Sequence, residues 1–112
     1  MKLPNATKTI IEHDKIVHYL LNAAHPDNGG KARFFATLGF EQADWLQLAA
    51  ALRVLAETGE VVASTRSRHG QKYVVVGRLV SPRGKSPLVQ TIWIVDSGSG
   101  SARLITAYPH SP

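Results

Sequence analysis

Residues 44–80 read DWLQLAAALRVLAETGEVVASTRSRHGQKYVVVGRLV, and the period of their apolar positions changes midway. Trp45, Leu48, Ala49, Leu52, Leu55 and Ala56 recur three and four apart, the spacing that lines one face of a helix. Asp44 followed by Gln47 predicts a capping-box-like start, and Gly59 ends the run. Beyond Gly59, residues 61–65 and 71–80 are rich in β-branched side chains, and Arg68-His69-Gly70 between them is turn chemistry. A helix therefore gives way to a hairpin at one glycine.

Outward from this switch, the two sides differ. Toward the C-terminus, residues 88–95 and 103–108 repeat the strand composition, separated by Ser81-Pro82-Arg83-Gly84 and by a Ser/Gly loop at 97–101. Four closely joined strands predict a meander. Toward the N-terminus, 9–12 is extended, and Asp14 is placed to cap a short helix over 15–22 with Ile16, Tyr19 and Leu20 on one face. A loop follows over 23–30, where His25-Pro26 disfavours helix and Asp27-Asn28-Gly29-Gly30 favours a turn. Residues 31–38 resume a helix, with Phe34, Phe35 and Leu38 together and Gly39 as its stop. The expected class is α+β: two to three N-terminal helices packed on a four-stranded antiparallel β-meander. The 112 residues suit a single domain, with a helical half over 9–58 and a sheet half over 60–109.

Hydrophobic residues make up 44% and charged residues 19% of the chain, a globular balance. The absence of cysteine excludes a disulfide framework, a thiolate metal site and a cysteine nucleophile. Together with the lack of a signal-like or membrane-length apolar run, it suits a cytoplasmic location and predicts no membrane partner. The net charge of +5 lies entirely in the sheet half, where Arg66, Arg68, Lys72, Arg78, Arg83, Lys85 and Arg103 face only Glu60 and Asp96. Such a surplus favours polyanionic partners.

Alternation along the strands sorts residues by face, although register is open at this level. One face is apolar. The other is expected to carry Lys72, Arg78, Thr91, Trp93, Thr106 and Tyr108, a basic, hydroxyl-bearing and aromatic surface suited to a nucleic-acid strand.

His25, Gly29, Gly30, Lys31 and Arg33 form the most pointed local constellation. Lysine at a helix start opposes the helix dipole, which an anion held by Lys31, His25 and the free N–H groups of the first turn would relieve. His69 sits in the first hairpin turn among Arg66, Arg68 and Lys72; with a second histidine such as His25 it would supply an acid and a base for RNA cleavage. Thr106 and Tyr108, two apart, share a strand face where their hydroxyls would orient a phosphate. That route needs no cofactor and no metal. His13 and His18 are five apart and miss the i, i+4 spacing of a helical metal pair, and His110 lies near the end of the sequence in a segment expected to fray.

The segments Leu3-Pro4-Asn5, His25-Pro26, Lys31-Ala32-Arg33-Phe34-Phe35, Leu38-Gly39-Phe40, Gly70-Gln71-Lys72-Tyr73, Val89 to Ile94 and Leu104-Ile105-Thr106-Ala107-Tyr108-Pro109 resemble a family of small bacterial domains of unassigned function. More distantly, helices followed by a four-stranded sheet ending in Thr-x-Tyr-Pro are similar to the barnase, EndoU, colicin and RelE-like superfamily of ribonuclease toxins. The resemblance implies a metal-independent endoribonuclease acting on tRNA or mRNA and neutralised by a cognate antitoxin or immunity protein. The residue types it matches here are His25, Lys31, Lys72, Thr106 and Tyr108; taken with the reading of the residues above, the catalytic candidates are His25 or His69 as acid or base, Lys31, Thr106 and Tyr108, and the substrate contacts Arg33, Lys72, Arg78, Thr91 and Trp93. The competing expectation is a non-catalytic protein- or RNA-binding module of a two-gene bacterial system.

Overall fold

The switch at Gly59 is also the architectural boundary in the computed structural model, which describes residues 1–28 and 30–111. A 3-10 turn (Ala6–Lys8) precedes helix α1 (His13–Lys15), which runs on as a π-helical turn (Ile16–Leu20). Helix α2 (Lys31–Thr37), a second 3-10 turn (Gln42–Asp44) and helix α3 (Trp45–Thr58) follow. The strands are β1 (Glu60–Ser67), β2 (Gly70–Arg78), β3 (Leu88–Asp96) and β4 (Ala102–Pro109), ordered β1-β2-β3-β4 with every neighbouring pair antiparallel. This is the α+β meander that the change of period predicts.

Helix starts depart from expectation in detail. α1 begins at His13, and the Asp14 carboxylate accepts from His13 Nδ1 at 2.9 Å instead of capping a backbone N–H. Asp44 makes no side-chain cap either; its own N–H donates to Glu41 O, because the chain enters α3 through the 3-10 turn. Gly39, at φ +97°, stops α2 in the left-handed region where glycine has no Cβ to strain.

One apolar cluster joins all the layers. Leu48, Leu52 and Leu55 of α3, Phe35 of α2, Ile16 and Leu20 of the π turn, and Val75, Val89, Trp93, Leu104 and Ala107 of the sheet are fully buried. Each large side chain so buried contributes on the order of 1.5–3 kcal/mol. α3 packs on β2, while α1 and α2 pack on β4. The end of α3 approaches β2 through two glycines: a Cβ on Gly77 would lie 3.1 Å from Gly59 Cα, and one on Gly59 would lie 2.8 Å from Val76 O. At Gly59 a side chain would force its neighbours to shift, and at Gly77 the contact is tight.

Register decides the faces. Val75, Thr91 and Ala107 are mutually opposite, as are Tyr73, Trp93 and Leu104, and these rows face the helices. Thr91 and Trp93 are thus core residues, contrary to their expected place on an open substrate face. Their polar atoms are satisfied internally: Trp93 Nε1 donates to Thr91 Oγ1 at 2.7 Å, and Thr91 Oγ1 donates to Val75 O at 2.9 Å. A polar threonine suggested exposure, but a hydroxyl that accepts from an indole and donates to a carbonyl is at home in a core. The opposite face carries Val74, Val76, Ile92 and Gln90 in its centre, with Lys72 and Arg78 toward opposite ends of β2.

The outer edge of β4 is paired by the N-terminal segment: Ile10 N donates to Ala102 O and Leu104 N donates to Ile10 O. Between the bridges to Trp93 and Ile92, β4 carries a bulge, so that Thr106 and Tyr108 fall opposite Ile92 and Gln90. Among the described residues no helix is long and apolar enough to cross a membrane.

Candidate functional site

The π turn places Tyr19 between the helices and the end of β4. Its phenol oxygen accepts a 2.7 Å hydrogen bond from Lys31 Nζ and lies 3.4 Å from Thr106 Oγ1. Lys15 Nζ stands 5.1 Å from the centroid of the ring, and the His25 ring meets it edge-on at 5.0 Å. Half-burial by itself raises the phenol, but the hydrogen bonds with Lys31 and Thr106 and the charges of Lys31 and Lys15 outweigh it, so the Tyr19 pKa falls below the ordinary phenol value. A phenol held this way has its ionised form stabilised by its surroundings.

Lys31 reaches Tyr19 because of Asn28. This buried side chain donates from Nδ2 to Tyr19 O at 2.6 Å and accepts from Ala32 N–H at Oδ1 at 2.8 Å, tying the loop to the π turn and to the start of α2. The Asn28 carbonyl accepts from Lys31 N–H. Two N–H groups at the start of α2 are therefore satisfied by Asn28, which corrects the expectation of a free helix terminus cradling an anion. Of the two glycines in that expectation, Gly29 lies outside the described residues. The lysine at the helix start is offset by the oxygen of Tyr19.

The end of β4 supplies the remaining groups. Tyr108 OH accepts from Gln90 Nε2 at 2.7 Å, and Lys31 Nζ stands 5.9 Å from the centroid of the Tyr108 ring. Gln90 Oε1, an acceptor, lies 3.2 Å from Nδ1 of His110, which assigns that nitrogen as the donor of the pair. His25 is held the other way: its Nδ1 accepts from Asp27 N–H at 3.1 Å, leaving Nε2–H as a donor. His110, expected to fray, is anchored by its backbone N–H to Leu88 O.

His25, Lys31, Thr106 and Tyr108 thus gather around Tyr19. The other candidates stand apart. His69 is exposed in the β1–β2 turn; Gly70 beside it pairs with Asp96, six residues along β3 from Gln90, a separation of roughly 20 Å at the rise of a strand. That distance separates His69 from the His25 end of the sheet. Lys72, opposite Ile94, is exposed toward the His69 end, and Arg78 at the Tyr108 end donates from Nη1 to Ser86 O. Arg33 is exposed beside the cluster, lining a shallow pocket with His25, Asn28 and Gly30. Beside Tyr19 and His25 opens a groove of about 580 Å³, completed by Glu12, Asp14, Lys15, His18 and Asp27.

Tyr19, Asn28, Gln90 and His110 were not singled out from the sequence. Tyr19 had one visible signal, Lys15 four residues earlier on the same helical face; its other partners are distant in the chain.

A family model described as Domain of unknown function (DUF6883) matches residues 2–111. No curated protein matches the chain. Among solved structures, a chain of the contact-dependent growth inhibition toxin–immunity protein complex from Klebsiella pneumoniae 342 is similar, with a TM-score of 0.74 and 16% identity over 96% of this chain and 97% of that one. At that identity the likeness is one of fold.

Proposed function

The chain belongs to the family described as Domain of unknown function (DUF6883), and we propose that it is a toxin-like, metal-independent endoribonuclease. The observation that carries this reading is the Lys31–Tyr19–Thr106 constellation, a phenol whose ionised form is favoured by two lysines at a groove beside a histidine. A fold shared with a chain of a toxin–immunity complex and a surplus of positive charge agree with it.

In this mechanism the RNA phosphate enters beside Lys31, and Tyr19 in its ionised, tyrosinate form takes the proton of the 2′-hydroxyl, becoming a neutral phenol as the 2′-oxygen attacks the adjacent phosphorus. The O2′–P bond forms and the P–O5′ bond breaks, giving a 2′,3′-cyclic phosphate. The leaving O5′ receives its proton from Nε2 of His110 in its imidazolium form. Lys31 and the Nε2–H of His25 balance the charge that accumulates on the phosphoryl oxygens. Thr106 orients Tyr19, and Tyr108 offers a ring face to a base. Activity of this kind inside a producing cell calls for a cytoplasmic antitoxin or immunity protein that covers the groove.

The test is cleavage of total bacterial RNA by the purified chain in excess chelator, with the product ends identified. Cleavage to cyclic phosphate termini is expected, falling at least 100-fold in Tyr19→Phe and Lys31→Met with circular dichroism unchanged. RNA left intact by the folded wild type, or bound without being cut, overturns the proposal; the second outcome makes the chain a binding module.

A further inference from the structure

A second cluster stands at the rim of the same groove. Spacing five apart argues against His13 and His18 sharing a helical face, yet the chain between them passes from α-helix into a π turn, closed by Leu21 N–H donating to Ile16 O at 2.8 Å. His13 and Asp14 are neighbours and His18 follows Asp14 at i, i+4, so the aspartate bridges the two histidines; single π turns also concentrate at functional sites. The result is convergence on one carboxylate oxygen: Asp14 Oδ1 lies 2.9 Å from His13 Nδ1 and 3.6 Å from His18 Nε2. One donor atom from each of the three residues lies within 4.8 Å of the others.

We propose that His13, Asp14 and His18 form a binding site for a divalent transition-metal ion, zinc being the best fit. Two imidazole nitrogens and one carboxylate oxygen are a donor set zinc takes, three protein ligands leaving a fourth position for water. Tetrahedral ligands about 2.0–2.1 Å from zinc stand roughly 3.3 Å apart, and the two measured separations from Asp14 Oδ1 bracket that figure. All three side chains are exposed, so closing the third separation needs only side-chain rotation and no loss of core packing. The His13 ring rests edge-on against Trp45 at 4.9 Å, which restrains its orientation and places an indole beside the ion. Asp14 and His18 also line the groove that holds Tyr19 and His25, so a bound ion stands at its mouth. The site needs only its three donors and is independent of the proton-transfer role given to Tyr19.

The experiment is calorimetric titration of the tag-free, chelator-stripped chain with zinc chloride. One ion per chain is expected, with affinity lowered at least tenfold in His13→Ala, His18→Ala and the shape-conserving Asp14→Asn, and unchanged in His69→Ala. Copper(II) should quench tryptophan fluorescence with a one-equivalent end point in the wild type, and that step should vanish in His13→Ala. Absence of saturable zinc binding, or wild-type affinity in both His13→Ala and His18→Ala, overturns the assignment. So does a loss in His69→Ala as large as theirs, which would place the ion elsewhere.

Discussion

Lys31 donates from Nζ to the phenol oxygen of Tyr19 across 2.7 Å, although the two are twelve positions apart in the chain. The same oxygen lies 3.4 Å from Thr106 Oγ1, 87 residues beyond Tyr19. The α2 start, the π turn and the last strand therefore meet at one atom, and its titration reports on all three.

Replacing Lys31 by methionine removes both the hydrogen bond and the charge that lower the Tyr19 pKa. The phenol should then titrate at higher pH, as followed by ultraviolet absorbance of tyrosinate. The linkage has a definite sign. The folded value lies below the unfolded one near 10.0, so Tyr19 ionisation adds stability as pH rises through the folded value, and this increment is lost as pH falls below it. The stability difference between wild type and Tyr19→Phe should accordingly widen from pH 7 to pH 10 in denaturant titrations.

Asn28→Ala removes the bond to Tyr19 O and leaves Ala32 N–H without its acceptor in a buried place. A loss of about 2–3 kcal/mol is expected from urea unfolding, since orphaned buried groups carry their full desolvation cost. RNA cleavage should fall as well, because Lys31 loses the loop that aims it.

Thr91→Val keeps the shape of the side chain but leaves Trp93 Nε1 with no acceptor in the core. The expected destabilisation is about 1–3 kcal/mol. If Thr91 and Trp93 instead lined a substrate face, stability would be unchanged and RNA binding would suffer.

Thr9→Val should act in the opposite direction. Thr9 Oγ1 is buried with no hydrogen-bond partner among the described residues, so exchanging the hydroxyl for a methyl group removes an unsatisfied polar atom at constant volume. Stability should be equal to wild type or higher by up to about 1 kcal/mol, measured as the urea midpoint.

Gly77→Ala tests the contact between α3 and β2. A methyl group there meets Gly59 Cα and Leu55 Cγ, both at 3.1 Å, so the helix end must move away from the sheet. A cost of about 1–3 kcal/mol is expected from overpacking, read as a lowered thermal midpoint.

The fold was legible in the residues because its signals are local. The three-and-four spacing from Trp45 to Ala56, the glycine at 59 and the β-branched runs beyond it each act over one or two turns, and their order dictates helices followed by a meander. His25, Lys31, Thr106 and Tyr108 were visible as residue types suited to phosphate chemistry. Their meeting around Tyr19 was not, because it depends on which loop folds back on which strand. Register had the same effect on Thr91 and Trp93: moving a strand by one residue exchanges its faces, and alternation alone does not say which is covered. The pairing of His110 with Gln90 is likewise settled by packing between segments distant in the chain. By itself, then, the sequence determined the elements, their order and the chemistry on offer. The tertiary structure decided which of those groups share a site, since side chains from separate elements meet only after each element has buried its apolar face.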